Sequence, residues 1–219
     1  MDQGLSDLLC YILSIAQSQK HTKKVTLPED NQKGFISKEL YLRYRNTEKI
    51  QKITKFIGDT MNIYYQTDKE EIFGAGISGV FPVWIDLGCE DSLETKLLAA
   101  IKQIISRGKM IPQSELRVLY DGKVSQSILS FLENDDDLRN KVKFENEKDF
   151  RGCECTGVIY IGAGHLEAFT RAKQMLAIIT YCNSPPHKWY KKYVDALGKC
   201  VDENLLIKLD LKDSSAYGL

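Results

Sequence analysis

The sequence predicts an α/β fold with three layers and a mostly parallel sheet. From residue 80 onward, strand-like segments alternate with helix-like segments, a pattern typical of crossover units that join parallel strands. Two segments, Gly157–Ile161 and Leu176–Thr180, are almost continuously apolar, as expected for strands that helices cover on both faces. A chain of 219 residues, 43% of them hydrophobic and 27% charged, suits one large domain or one domain with an appendage.

The first 34 residues are predicted to form a separate segment. Apolar residues recur at three- and four-residue steps between Asp2 and Ser18, which predicts an amphipathic helix. Residues Gln19–Gly34 are polar and include Pro28, so we expect a loop there. We therefore divide the chain into an N-terminal helix and loop at 1–34 and an α/β domain at 35–219. The apolar helix face packs either on that domain or on a neighbouring protein.

The elements of the domain follow from the hydrophobic pattern. A first helix is expected to begin near Ser37 or Thr47 and to end near Ile57. Further helices are predicted at Ser92–Arg107, Val124–Leu132, Leu166–Met175 and Pro186–Leu197. Strands are predicted at Val80–Leu87, Leu116–Tyr120, Val142–Phe144, Gly157–Ile161, Leu176–Thr180 and Leu205–Leu211, the last at the edge of the sheet.

Charge and cysteine content exclude several classes of protein. Thirty basic and thirty acidic residues balance, so net charge gives no general attraction to nucleic acid or membranes. Cys153 and Cys155, taken with His165, Cys182 and His187, match no standard zinc spacing,. We expect no metal site and six reduced thiols, as is usual in the cytoplasm or nucleus. The apolar runs are shorter than the ~18 residues that a membrane span needs.

Three short segments carry side chains suited to nucleotide binding. Arg171 follows a glycine-rich turn at Gly162–His165, and we expect it near the start of a helix, where a guanidinium can bind phosphate through two parallel hydrogen bonds; a surface ion pair is the alternative. Glu154 precedes a buried strand and could accept a hydrogen bond from a ribose hydroxyl, or be a plain loop carboxylate. The ring of Tyr44 could stack on a base while Arg45 reaches a phosphate, or the two could be an exposed pair at a helix start.

In their order along the chain, these segments resemble motifs of the second RecA-like domain of superfamily 1 helicases, the UvrD-like group. Leu42–Ile50, read LRYRNTEKI, is similar to motif IV. Asp149–Glu154, read DFRGCE, is similar to motif V, usually written KGLE, and Glu167–Lys173, read EAFTRAK, to motif VI, usually VALTRAR. The resemblance covers about residues 35–182 and implies a RecA-like fold for that part of the chain.

The resemblance also implies a role for each matching residue. Tyr44 would stack on adenine, Arg45 would contact the γ-phosphate, and Glu154 would hold the ribose. Arg171 would be the arginine finger, which stabilises charge on the transferring phosphoryl group. Arg151 and Gly152 fill the Lys-Gly positions of motif V and would lie against the nucleotide. The arginine at 151 and the cysteine at 153 depart from the usual lysine and leucine, which indicates a divergent branch.

The sequence lacks a phosphate-binding loop. Gly-Lys pairs begin at residues 108, 122 and 198, but none is followed by Ser or Thr, which the loop requires. Asp86 ends a predicted strand like a magnesium ligand, but Leu87 follows it instead of an acid, so we interpret Asp86 as structural.

We therefore expect the C-terminal motor half of a helicase or related NTPase, without ATPase activity of its own. It would bind ATP with Mg²⁺ only when a first RecA-like domain is supplied in cis or in trans, and would act on DNA or RNA. Two alternatives stay open. The chain could be a catalytically inactive helicase-like module for interaction or regulation, or an unrelated α/β enzyme whose motif matches arose by chance.

Overall fold

Six parallel strands form the centre of the structure, a computed structural model that describes residues 46–63, 79–89, 92–107, 115–150, 153–163, 166–182 and 188–211. The strands are β1 Val83–Asp86, β2 Leu116–Tyr120, β3 Lys143–Asn146, β4 Cys155–Ile161, β5 Ala172–Thr180 and β6 Ile207–Lys208. They form one sheet in the order β3-β2-β4-β5-β1-β6, and each neighbouring pair is parallel. The chain divides into two units. All of the described residues belong to the unit that comprises Leu42–Tyr65 and Ile72–Leu219.

Helices cover both faces of this sheet. They are α1 Glu48–Met61, α2 Leu93–Arg107, α3 Gln126–Glu133, α4 Asp136–Arg139, α5 Leu166–Phe169 and α6 Lys188–Asp202. Helices α2, α3 and α4 share one apolar core with the sheet, and α1, α5 and α6 share the other. The prediction of an α/β fold with three layers and a parallel sheet is confirmed.

Alternate side chains of the central strands enter the two cores. In β4, Val158 and Tyr160 pack with α1, α5 and α6, whereas Ile159 and Ile161 pack with α2, α3 and α4. All four are fully buried. Because successive residues of a strand point to opposite faces, a strand buried on both sides must be apolar at every position, which is why β4 was recognisable in the sequence.

Most predicted elements are present, with shifted ends. Strand β2 has the predicted bounds, and β4 begins two residues earlier than predicted, at Cys155. The predicted helix at Leu166–Met175 is wrong beyond its first turn, since α5 ends at Phe169 and β5 begins at Ala172. Pairing with β4 overrides the helical pattern there, because the Cys155 N–H donates to the Arg171 carbonyl. The predicted helix at Asp2–Ser18 lies outside the described residues.

Candidate nucleotide site

Glu154 and Arg171 lie side by side at the amino edge of the sheet, by which we mean the edge where the strands begin. Each directly precedes a strand, β4 or β5, and the two strands pair with Cys155 opposite Ala172. The Cys155 N–H donates to the Arg171 carbonyl at 3.1 Å. The structure thus brings together two predicted site residues. It corrects the expected helical position of Arg171, which occupies a turn between α5 and β5.

A β-bulge follows Arg171 immediately. Cys155 pairs with Ala172 but Gly157 pairs with Met175, so β5 has one more residue than β4 over this stretch. As a result two consecutive residues, Lys173 and Gln174, are both exposed. Bulges often lie beside functional sites because they redirect side chains, and this one lies directly after the candidate arginine.

The start of α1 joins the same edge. The Asn46 side chain donates hydrogen bonds from Nδ2 to the carbonyls of Thr170, at 3.0 Å, and Ala172, at 2.5 Å. The Thr47 N–H donates to the Lys173 carbonyl at 3.1 Å. Residues of the motif IV and motif VI segments, more than 120 positions apart, are therefore in direct contact.

The Arg171 side chain makes no polar bond with the other residues that the structure describes. Its side chain is partly buried, and within the described residues it forms no hydrogen bond or ion pair. Glu154 lies 3.8 Å from the Lys173 ammonium, which is half exposed, so this ion pair is weak. Burial raises the pKa of the Cys155 thiol to about 12, and that group is therefore neutral at ordinary pH. Arg171 and Lys173 are thus two cationic residues of this edge, and Glu154 precedes the neighbouring strand.

Four predicted site residues are not tested. Tyr44, Arg45, Arg151 and Gly152 lie outside the described residues, so their roles stay predictions. Arg45 directly precedes Asn46 in the sequence, and Gly152 comes two residues before Glu154.

Sequence reasoning missed Asn46 and Phe81. The Asn46 position follows the Tyr-Arg pair directly, which was an available signal, but its partners lie in another motif. Phe81 is 40% exposed just before β1, and the Lys49 ammonium of α1 lies 3.5 Å from its ring centroid. Gly79 is nearby, because a Cβ on it would lie 2.3 Å from the Thr47 side chain. Nothing in the sequence indicated that an aromatic ring would be exposed at this edge.

At the carboxyl edge, where the strands end, polar groups bond to one another. The Asp86 Oδ1 accepts hydrogen bonds from the Thr180 hydroxyl and the Tyr190 hydroxyl, both at 2.8 Å, and from the Gly88 N–H at 3.2 Å. Burial and the hydrogen bond to Asp86 both raise the pKa of Tyr190, so the phenol keeps its proton. These three hydrogen bonds fit a structural role for Asp86.

Two cysteines also meet at the carboxyl edge. Cys89 and Cys182 form a disulfide, and the Cys182 N–H donates to the Gly88 carbonyl at 3.0 Å. The expectation of six reduced thiols is therefore wrong for this pair. Parallel pairing of β1 with β5 places their following residues together although 93 positions separate them, and sequence spacing cannot reveal this.

In the part of the chain that the structure describes, no group of three or more His, Cys, Asp or Glu side chains is placed to hold a metal ion. Nor does any helix in those ranges have the length and apolar character needed to cross a membrane.

Comparison with known proteins assigns no family. No family model and no curated protein matches the chain. Among solved structures, the chain is similar to the C-terminal domain of a possible DNA helicase from Lactobacillus plantarum WCFS1, with 12% identity and a TM-score of 0.46 over 75% of this chain and 98% of that one. A likeness at this identity and TM-score assigns neither a family nor a function.

Proposed function

We propose that this chain is the C-terminal motor half of a UvrD-like ATP-dependent helicase or a related NTPase, with Arg171 as its arginine finger. One observation carries the proposal: the motif V and motif VI segments begin neighbouring strands, so that Glu154 and Arg171 lie together at one edge. Arg171 is partly buried there and forms no ion pair with the other described residues. A guanidinium held in this way suits a ligand with several anionic oxygens.

The chemistry assigned to this edge is electrostatic. Arg171 contacts the γ-phosphate and stabilises the charge that spreads over the transferring phosphoryl group, an effect worth ~10³–10⁵ in rate for arginine fingers. The Glu154 carboxylate accepts a hydrogen bond from a ribose hydroxyl. Tyr44, Arg45, Arg151 and Gly152 complete the nucleotide contacts, as the motif resemblance implies.

The rest of the ATP site comes from another domain. The chain has no phosphate-binding loop, so the loop and the magnesium ligands belong to a first RecA-like domain, supplied in cis or in trans. Closure of the two domains brings Arg171 to the γ-phosphate, and hydrolysis releases that closure. Repeated closure moves the pair along a strand of DNA or RNA.

Nucleotide binding and ATPase activity test this proposal. Mixed with a phosphate-binding-loop domain and Mg²⁺, the chain should bind the fluorescent analogue N-methylanthraniloyl-ATP, and without that domain it should hydrolyse ATP negligibly. Arg171→Ala should reduce the binding about tenfold, the effect of losing one charge-assisted hydrogen bond of about 1.4 kcal/mol. Arg139→Ala, at an exposed arginine that ends α4, is the matched control and should bind like the unaltered chain.

The ATPase activity of the same mixture extends the test. A true first domain should raise ATPase activity, and the Arg171→Ala variant should lose that stimulation. Unchanged nucleotide affinity in Arg171→Ala, or ATP turnover by the chain alone that survives this substitution, would contradict the proposal.

A second candidate function is a catalytically inactive interaction module. It is favoured by exposed apolar side chains around the start of β1, where Val80 is 58% and Phe81 40% exposed, with Ile207 44% exposed on the neighbouring β6. Under this reading a partner domain binds the chain without any rise in ATPase activity. Arg171→Ala then leaves that binding unchanged.

A further inference from the structure

One side-chain amide holds the carbonyls of the residues immediately before and after Arg171. Asn46 Nδ2 donates to the carbonyl of Thr170 and to the carbonyl of Ala172, the residues immediately before and after the arginine. Both hydrogens of an asparagine amide are available for such a pair of bonds. The two contacts span 124 and 126 positions of the sequence, so they fix a tertiary relation and not a local turn.

Further hydrogen bonds, to the Asn46 carbonyl and from the adjacent Thr47 N–H, hold Asn46 in place. Its own carbonyl accepts a hydrogen bond from Gln51 Nε2 at 3.0 Å, and the next residue, Thr47, donates its N–H to the Lys173 carbonyl at 3.1 Å. Thr47 and Gln51 are 2% and 8% exposed. The first turn of α1 and the first residues of β5 are therefore held in one arrangement.

The peptide groups of Arg171 are also engaged. Its N–H donates to the Ala168 carbonyl at 3.2 Å, and its carbonyl accepts from the Cys155 N–H at 3.1 Å. Together with the two carbonyls held by Asn46, this fixes the backbone on each side of the arginine Cα. The direction in which a long side chain leaves the backbone depends on that geometry, and a displacement of about 1 Å can cost ~10²-fold in rate at a catalytic site.

We infer that Asn46 is a positioning residue, which fixes the exit of the Arg171 side chain and joins the motif IV helix to the motif VI strand. The inference rests on the proposed function for its role in ATP hydrolysis, while the positioning itself is a property of this chain alone. Asn46 follows Arg45 directly, so the same bonds connect the segments of both arginines that the motifs assign to the γ-phosphate.

The positioning is tested by NMR on the ¹⁵N-labelled chain. Asn46→Asp keeps the side-chain size but removes the donor and sets a carboxylate against two carbonyls. We expect the ¹H–¹⁵N heteronuclear NOE of the Arg171 Nε and backbone amide to fall, while the amides of Ile53 and Ile57 in α1 stay ordered. Asn140→Asp, at an exposed asparagine after α4, is the control. Asn46→Ser, whose hydroxyl can donate only once, is the milder variant if Asn46→Asp does not fold.

Binding of N-methylanthraniloyl-ATP by the chain together with the phosphate-binding-loop domain separates the two proposals. Asn46→Asp should lower the nucleotide affinity about as much as Arg171→Ala, roughly tenfold. The double variant should bind no more than about twofold more weakly than either single variant, because both changes remove the same contact between Arg171 and the nucleotide. Full additivity, or an Arg171 NOE that stays unchanged, overturns the positioning role. If Arg171→Ala leaves binding unchanged, the proposed function fails, and the NOE alone still decides whether Asn46 positions Arg171.

Discussion

At the carboxyl edge of the sheet the polar side chains bond to one another, whereas at the amino edge Asn46 bonds to backbone and Arg171 forms no pair among the described residues. Open α/β sheets usually bind ligands at the carboxyl edge, where the connections of adjacent strands diverge. Here that point lies between β2, which leads to β3, and β4, which leads to β5. Among the described residues, the carboxylates at that edge are engaged in hydrogen bonds, and the opposite edge carries the candidate site.

The closure at β2 and β4 has a specific cause. Asp121, 3% exposed, follows β2 and accepts the Lys123 N–H at 3.0 Å and the Ala163 N–H at 3.4 Å. Gly162, which follows β4, packs directly on this carboxylate. The aspartate therefore ties two loops together where other proteins of this architecture leave a crevice. A side chain at the end of a strand is therefore a candidate ligand contact only if it is not already bonded within the protein.

The largest effect is expected for loss of the disulfide. The double substitution of Cys89 and Cys182 by Ser should lower the free energy of unfolding by about 3–4 kcal/mol, because a closed loop of this length restricts the unfolded chain. Urea unfolding measures the change, with Cys153→Ser, an exposed thiol of the amino edge, as the control. Nucleotide affinity should stay constant. A gain in affinity when the disulfide is absent would mean that the carboxyl edge opens to ligands, and the contrast between the edges would fail.

Gly162→Ala should destabilise the protein by about 2–3 kcal/mol. The glycine has φ +145°, and a Cβ there would lie 2.7 Å from Asp121 Oδ2, so strain adds to steric overlap. Gly88→Ala at the same edge has φ +63° but no atom within 4 Å of the new Cβ. It should cost only about 1 kcal/mol, and thermal unfolding of both variants checks the difference. Equal losses would show that the closure around Asp121 contributes little.

Tyr190→Phe should lower stability by about 1 kcal/mol, the usual net value of one hydrogen bond. It removes a donor to Asp86 but leaves Thr180 and Gly88 in place. Tyr120→Phe, at a partly buried tyrosine that ends β2, is the matched control. Binding of N-methylanthraniloyl-ATP should be unaffected. A loss of nucleotide affinity in Tyr190→Phe would place part of the site at the carboxyl edge.

The smallest effect on stability is expected for the thiols at pH 8.5, below the pKa of both buried groups. Burial raises the pKa values of Cys155 and Cys200 from 9.0 to about 12. Both groups therefore keep their protons in the folded state, and the stability they contribute is present below pH 9 and is lost as the pH rises towards 12. In the native protein at pH 8.5, iodoacetamide should modify the exposed Cys153 first and the two buried thiols slowly. Rapid labelling of Cys155 would show that the amino edge is less well packed than described.

The sequence predicted the strands well and the bonds between them poorly. Strand β2 was found with its observed bounds because Leu116, Val118 and Leu119 are buried and apolar. The sequence predicts helix at the start of β5, because the bulge leaves both Lys173 and Gln174 exposed and breaks the period of two that identifies a strand,. The local hydrophobic pattern predicts which residues are buried, but it does not predict which residue of a distant strand pairs with them.

The candidate site divides in the same way. The motif segments indicated Arg171 and Glu154, and the structure places them on adjacent strands. The contacts of Asn46 could not be predicted, because they join a side chain to carbonyls more than 120 positions away. Such bonds depend on the finished fold and leave no periodic signal in the sequence.

The strand order also constrains how the protein is made. Both neighbours of β1, namely β5 and β6, come from the last third of the chain. As the chain emerges from the ribosome, β2, β3 and β4 can pair with one another while β1 still lacks any strand to bond with. The segment Val83–Asp86, which is apolar in its first three residues, therefore stays unpaired and accessible to chaperones or to aggregation until residues up to 180 have been translated.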